Sequence, residues 1–281
     1  MSIKVLSSGL YTSVQDKGRM GYRSLGVPVS GAMDAFSARL ANRLLGNPED
    51  NAVLEVMLQG PVLEFTQATR ICLTGATFQA TLNEEPITLI HEVSVKNGDV
   101  LRFGTATSGV FGYMAVTGGI QSEKVLNSRS LYEGVTSRGK ITKEDIIPIA
   151  NTEIQSEKFA SVAIRTEDPE TNALTVYKGP EFDSLPEDIQ AKIETISFSI
   201  TPDGNRMAYI LDSEISLSVP GILTAPVQPG TVQLTPSGKI IVLMRDGQTT
   251  GGYARILQLS DKSINRLSQG RAGDEILFSL I

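Results

Sequence analysis

The chain has 281 residues, a formal net charge of −6, one cysteine and one histidine. Its 41% hydrophobic and 20% charged residues fit a soluble globular protein, and the absence of a run of about 18 apolar residues argues against a membrane-spanning helix. The lack of a Lys/Arg block argues against a nucleic-acid partner. One cysteine excludes an internal disulfide, and Met1–Gly9 lacks the apolar core of a leader, so the expected location is cytoplasmic.

Taken in chain order, the first strong signal is a helix over Met33–Leu45, with Asp34 as cap, Gly46 as stop and Pro48 just beyond. Short β runs follow at Val53–Leu58, Val62–Phe65, Ile71–Thr74, Ile87–His91, Val100–Phe103 and Tyr113–Thr117. Residues 151–172, rich in Glu, Ser, Thr and Asn, read as the break between units, with a strand expected at Val162–Ile164. A second helix is predicted over Ser184–Glu194, with Ser184 and Glu187 in capping-box spacing. Strands are predicted at Thr231–Thr235, Ile240–Met244 and Ile256–Leu259, and a short helix over Asp261–Leu267. Many short strands and few helices point to barrels or sandwiches.

Two segments recur in order. Asp16-Lys17-Gly18-Arg19-Met20 is echoed by Asp203-Gly204-Asn205-Arg206-Met207, and Asn97-Gly98-Asp99-Val100-Leu101 by Ala272-Gly273-Asp274-Glu275-Ile276. Repeated order predicts two copies of one unit, 1–165 and 171–281, with a ligand cleft between them.

The chemistry is narrowed by what is missing. His91, in an alternating run expected to face solvent, and Cys72, in an apolar run, cannot build the usual zinc site, so no metal site is predicted. A histidine-based triad has only His91 to draw on. Gly134–Lys140 has P-loop spacing, but Ile141 stands where a Ser or Thr is needed and Pro148 soon interrupts the segment that follows. This is a chance match.

Carboxylates, arginines and polar turns remain. Asp246-Gly247-Gln248-Thr249-Thr250-Gly251-Gly252-Tyr253 follows the apolar run Ile240–Met244, and its glycines let backbone N–H groups converge on an anion. A hairpin whose polar groups satisfy its own backbone is the alternative. Arg19 and Arg206 are either anion-binding forks or structural partners of Asp16 and Asp203. Ser128-Arg129-Ser130 is a further compact polar turn.

These segments together resemble a known family. Gly9–Arg19, Gly26–Asp34 and Ala41–Asn47 are similar to the opening of the KipA family, whose members are also described as the C subunit of 5-oxoprolinase, allophanate hydrolase subunit 2 or biotin-dependent carboxyltransferase. Leu58–Pro61, Gly118–Ile120, Ser128–Ser130, Gly179–Pro180, Pro229–Gln233 and Asp246–Tyr253 fit the same pattern. The chain departs from it at Asn127, where Gly is usual, at Leu131, where Thr is usual, around Arg138-Gly139, and around Arg206–Leu211.

The resemblance implies a mainly β protein of two cyclophilin-like β-barrel domains with a few short helices. It also implies one component of an ATP-dependent hydrolase, opening 5-oxoproline to glutamate with the KipI-like B subunit and the A subunit of 5-oxoprolinase. ATP with Mg²⁺ would act in the complex, on a lactam or amide substrate. The alternatives are a carboxyltransferase component of a biotin-dependent urea or amide carboxylase, and a KipI-binding regulator without catalysis. Asp16, Arg19 and Asp246 are the catalytic candidates. Ser30, Arg129, Tyr132, Arg206, Gln233, Gln248, Thr249, Thr250 and Tyr253 are the substrate- and nucleotide-binding candidates.

Overall fold

Side chains on successive strand residues point to opposite faces, and this alternation marks many of the strands. In Ala173–Lys178, for example, Leu174 and Val176 are buried and their neighbours Ala173 and Thr175 are half-buried. The computed structural model describes residues 1–151, 172–213 and 219–281. The strand expected at Val162–Ile164 lies outside the described residues, as does most of the expected linker. Within the described residues the fold is mainly β with short helices, and it divides into two compact units: 1–19 with 30–151, and 20–29 with the residues from 172 onward.

The first unit has two sheets. One runs in the order Ile146–Pro148, Ser2–Ser7, Val62–Phe65, Val100–Arg102, Thr81–Leu82, Glu85–Pro86. The other runs Tyr11–Gln15, Val53–Met57, Ala106–Val116, Thr69–Phe78, Glu92–Val95. Ile3, Val5, Leu63, Phe65 and Leu101 from one sheet share a single core with Val14, Leu54, Val56, Ile71, Leu73 and Met114 from the other.

Helix α1 (Ala35–Leu44) opens as predicted, with the Asp34 carboxylate accepting from the Ser37 N–H at 3.1 Å and the Ser37 hydroxyl at 2.6 Å. It ends where Gly46, at φ 68, takes the left-handed turn that glycine adopts without strain.

The second unit holds a closed barrel in the order Ala173–Lys178, Ala254–Leu259, Thr231–Leu234, Ile240–Leu243, Ala208–Asp212, Phe198–Ile200, Glu275–Leu280. Glu275–Leu280 returns to pair in parallel with Ala173–Lys178, Leu277 opposite Ala173. Beside the barrel, Ala225–Pro226 pairs with Thr250–Gly251.

Two expectations are corrected. Ile87–His91 is not a strand: Ile90 sits at φ 62, its N–H donates to the Leu73 carbonyl at 2.7 Å, and the strand is Glu92–Val95. A β-branched residue in that conformation turns the chain. The Ser184–Glu194 helix is also shorter. Phe182–Ser184 forms a 3₁₀ turn, Leu185 is extended, and α2 covers Glu187–Lys192. Pro186 disfavours a helical conformation at Leu185, so the Ser184 hydroxyl bonds back to the Glu181 carbonyl at 2.6 Å in place of capping. Helix α3 (Asp261–Ser268) matches its prediction and is capped by Ser260.

The two sequence echoes fare differently. Asp99 Oδ2 accepts from the Lys96 N–H at 2.7 Å and Asp274 Oδ2 from the Arg271 N–H at 2.8 Å. Gly98 N donates to Phe65 O as Gly273 N donates to Ile200 O, both at 2.8 Å. That turn is built identically in both units. Asp16, in contrast, follows the strand Tyr11–Gln15 and leads into a 3₁₀ turn at Arg23–Leu25, whereas Asp203 sits between the paired strands Phe198–Ile200 and Ala208–Asp212.

Candidate functional site

In the first unit three segments meet at Asp16, two of them at its carboxylate. Oδ1 accepts from the Gly18 N–H at 2.8 Å, the Ser128 hydroxyl at 2.6 Å and the Ser130 hydroxyl at 2.8 Å; Oδ2 accepts from the Arg129 N–H at 2.6 Å. The Asp16 carbonyl meanwhile accepts from the Ala32 N–H at 3.1 Å. Asp16 thus organises the 128–130 turn and anchors the 30–34 loop.

The 128–130 turn follows a tight hairpin. Val125 and Ser128 exchange backbone hydrogen bonds around Leu126 and Asn127, at φ 50 and 62. Asparagine tolerates that left-handed position, which accounts for the departure from Gly at Asn127. Arg19 is fully buried and donates from Nη2 to the Ser130 carbonyl. Ser30 is buried at φ 57 with its hydroxyl lacking a hydrogen-bond partner, and Gln15 is fully buried with Oε1 in the same condition.

Two residues that sequence reasoning missed brace this loop. Glu55 Oε2 accepts from the Met33 N–H at 2.7 Å and the Tyr113 hydroxyl at 2.9 Å, and that hydroxyl accepts from the Asp34 N–H at 2.7 Å. Burial, then the adjacent Glu55 and Asp34 carboxylates, pushes the Tyr113 phenol well above its ordinary value. The available signal was a glutamate inside the otherwise apolar run Val53-Leu54-Glu55-Val56-Met57.

The other first-unit candidates are placed differently. The Arg129 guanidinium donates to the Ser122 carbonyl and, at 2.8 Å, to Gln121 Oε1. Tyr132 is half-buried, and its N–H donates to Thr136 Oγ1 at 2.9 Å. Gly134–Lys140 leads into no helix. His91 is exposed and follows a turn, while Cys72 is buried in Thr69–Phe78 with its thiol pushed up to about 12, by desolvation first and the Glu92 carboxylate second.

In the second unit the site is the turn predicted at 246–253. Arg206 Nε donates to Asp246 Oδ2 at 2.7 Å and Nη2 to Oδ1 at 3.0 Å, with both residues buried. The Asp246 N–H also donates to the Arg206 carbonyl at 2.9 Å, so backbone and side chain bind the same two residues. Arg206 therefore has Asp246 as its bidentate partner.

The turn is then laced to residues 222–227. The Val227 N–H donates to the Thr249 carbonyl and the Ile222 N–H to the Gly252 carbonyl, each at 3.0 Å. Gln248 Nε2 reaches Gln233 Oε1 at 3.5 Å from the far side of the turn. Thr249 is half-buried, and Thr250 and Tyr253 are exposed. Among the described residues no group of three His, Cys, Asp or Glu side chains is arranged to hold a metal ion.

The mainly β fold with its closed barrel is shared with a solved structure. The urea amidolyase of K. lactis superposes with a TM-score of 0.88 at 27% identity, over 100% of this chain and 19% of that one. This chain spans about a fifth of that much longer protein. Residues 25–280 match the family described as carboxyltransferase domain, subdomain A and B, and the chain belongs to that family. It is similar over almost its whole length to the C subunit of 5-oxoprolinase from Haemophilus influenzae, 31% identical over 99% of this chain and 91% of the relative. The corresponding C subunit from Escherichia coli is 32% identical over 98% and 90%. The resemblance read from the motifs is borne out.

Proposed function

We propose that this chain is the C subunit of an ATP-dependent 5-oxoprolinase, which opens 5-oxoproline to glutamate together with A and B subunits in the cytoplasm. One observation carries the reading: the match to two C subunits runs end to end on both sides, at 91% and 90% of the relatives' lengths. The match to the K. lactis urea amidolyase occupies 19% of that chain.

The reaction adds water to the lactam carbonyl carbon, breaks the ring C–N bond and leaves a proton on the departing nitrogen. ATP would phosphorylate the amide oxygen and leave as ADP; ring opening then yields an acyl phosphate, which a second water would split into glutamate and phosphate. Among the described residues Gly134–Lys140 leads into no helix and so offers no helix N-terminus to cradle a phosphate. In this reading the nucleotide and its Mg²⁺ belong to one of the other subunits, and this chain holds the lactam.

Its residues then divide by task. Arg19 is kept as the anion clamp of the first unit. Asp16, with its carboxylate committed to four donors, and Asp246, committed to Arg206, act as positioning residues. The polar turn from Gln248 to Tyr253 receives the substrate.

A second reading, a carboxyltransferase acting on urea or another amide with carboxybiotin, draws on the 0.88 TM-score to the urea amidolyase. A regulator that only binds a KipI-like protein is the third. The deciding experiment combines the purified chain with candidate A and B subunits and measures 5-oxoproline-dependent ATP hydrolysis. The proposal expects turnover only when all three components are present. Biotin-dependent carboxylation of urea with no response to 5-oxoproline overturns it in favour of the second reading. Tight binding of the B subunit without turnover overturns it in favour of the third.

A further inference from the structure

Gln233 and Gln248 bond to each other and leave half of each amide over. Gln233 lies in the barrel strand Thr231–Leu234 with no exposed surface, and its Oε1 accepts from Gln248 Nε2 at 3.5 Å. What remains is the Gln233 Nε2 donor and the Gln248 Oε1 acceptor, both buried and both without a hydrogen-bond partner. A buried polar group left unpaired is costly, so two of them side by side, one on the strand and one on the turn, call for a partner that the protein does not supply.

The remainder does not depend on how either amide is oriented. Whichever way two mutually bonded carboxamides are turned, one NH₂ and one C=O are left over.

Gly251 lets the Gln233 amide lie close against the turn. A Cβ at that position would stand 2.7 Å from Gln233 Nε2 and 3.6 Å from Gln248 Nε2. Gly251 does not lie in the left-handed region, so its backbone conformation does not call for glycine. What the glycine allows is the close approach of the Gln233 amide to the turn. Arg206 and Asp246 fix the start of the turn from the other side.

A donor beside an acceptor is complemented by a group with an acceptor and a donor on one edge. A trans peptide puts its N–H and C=O on opposite edges. A lactam ring holds them on the same edge, and a primary amide or urea can present the same pair. We propose that Gln233 and Gln248 read the cis N–H/C=O edge of the substrate amide, with Gly251 letting the Gln233 amide hold its position. This rests on the reading under Proposed function and assigns specificity for lactam over lactone to these residues. A site built to bond an N–H rejects the analogue that lacks it, because its own acceptor is then left bare.

The test uses the reconstituted complex with its A and B subunits, 5-oxoproline as substrate, and 5-oxotetrahydrofuran-2-carboxylate as a competitor in which oxygen replaces the ring N–H. The unaltered complex should favour the lactam over the lactone by roughly tenfold or more. Gln233→Met and Gln248→Met should each raise KM for 5-oxoproline about tenfold with a smaller change in kcat, and bring lactam and lactone affinities together. Gly251→Ala should raise KM comparably by pushing the Gln233 amide aside. If burial of Gln233 makes its variant unfold, the half-buried Gln248 and Gly251 carry the same comparison. Variants that keep both KM and the lactam preference overturn this assignment while leaving the proposed function standing. A complex that ignores 5-oxoproline overturns the proposed function instead. The same variants are then compared for urea carboxylation, where an unchanged KM overturns the amide-reading pair as well.

Discussion

Arg206 and Asp246 grip each other through two parallel hydrogen bonds, at 2.7 and 3.0 Å, with side chains 7% and 10% exposed. The pair holds the entrance of the 246–253 turn, and neither charge is well served by water once the other is removed. Asp246→Ala should therefore destabilise the second unit by about 3–5 kcal/mol, while a joint replacement by apolar residues of similar volume costs less than the two single changes added together. Denaturant midpoints of the two single variants and the double variant check this. Loss of turnover in Asp246→Ala is interpretable only beside that measurement.

The Asp16 carboxylate serves four donors from two separate stretches of chain. Asp16→Ala leaves the Gly18 and Arg129 N–H groups without their acceptor and should cost about 2–4 kcal/mol. Hydrogen exchange is the more telling readout: protection should fall at Gly18 and Arg129 before it falls in the core. Uniform loss across the first unit would mean that Asp16 supports the whole fold and not this turn in particular.

Tyr113→Phe removes the hydroxyl that joins Glu55 to the Asp34 N–H. A loss of roughly 1–3 kcal/mol is expected, with the 30–34 loop loosening while α1 survives through the Asp34–Ser37 cap. Amide exchange at Asp34 compared with that at Leu40 distinguishes local from general loosening.

Acid sensitivity should appear in the second unit through Glu181. The hydrogen-bonded Arg255 guanidinium holds its carboxyl below the ordinary 4.5. A carboxylate with a depressed folded-state pKa adds stability above its unfolded value and loses that contribution as pH falls through the folded one. The unaltered protein should thus lose stability more steeply below about pH 4.5 than Glu181→Gln does. Parallel pH profiles for the two proteins would remove Glu181 from the acid response.

Cys72, buried and with its thiol pushed up to about 12, should resist a thiol reagent at pH 8 until the chain unfolds. Labelling with and without denaturant measures this, and rapid labelling of the native protein would contradict its burial.

The legible parts of the fold were those with local punctuation. Helix α1 could be read because Asp34, Gly46 and its apolar spacing agree, and the cap is visible atom by atom. Ser2–Ser7 and Ala173–Lys178 were missed as strands although their buried residues alternate, because each obtains its partners from distant parts of the chain. Ile87–His91 misled in the opposite direction, since alternation there belongs to a turn with Ile90 at positive φ.

At the site, residue type exposed the polar turn but not its pairing. Arg206 found Asp246, at a sequence separation of 40, while Asp203 stood much nearer in the chain. The Gln233–Gln248 contact joins a barrel strand to a loop and leaves no local periodicity to read. Glu55 was visible only as a charge out of place, and its meaning needed Tyr113 and Met33 brought alongside.

The barrel's seam lies between its earliest strand and its latest. Ala173–Lys178 pairs on one side with Ala254–Leu259 and on the other with Glu275–Leu280. During synthesis the first of these strands must wait, both edges bare, while roughly the whole remainder of the unit is made. Closure is consequently a late, long-range event, and an interrupted chain ends as an open sheet with pairing capacity to spare. Shortening the chain by that last strand should turn a closed barrel into one that sticks to its own copies.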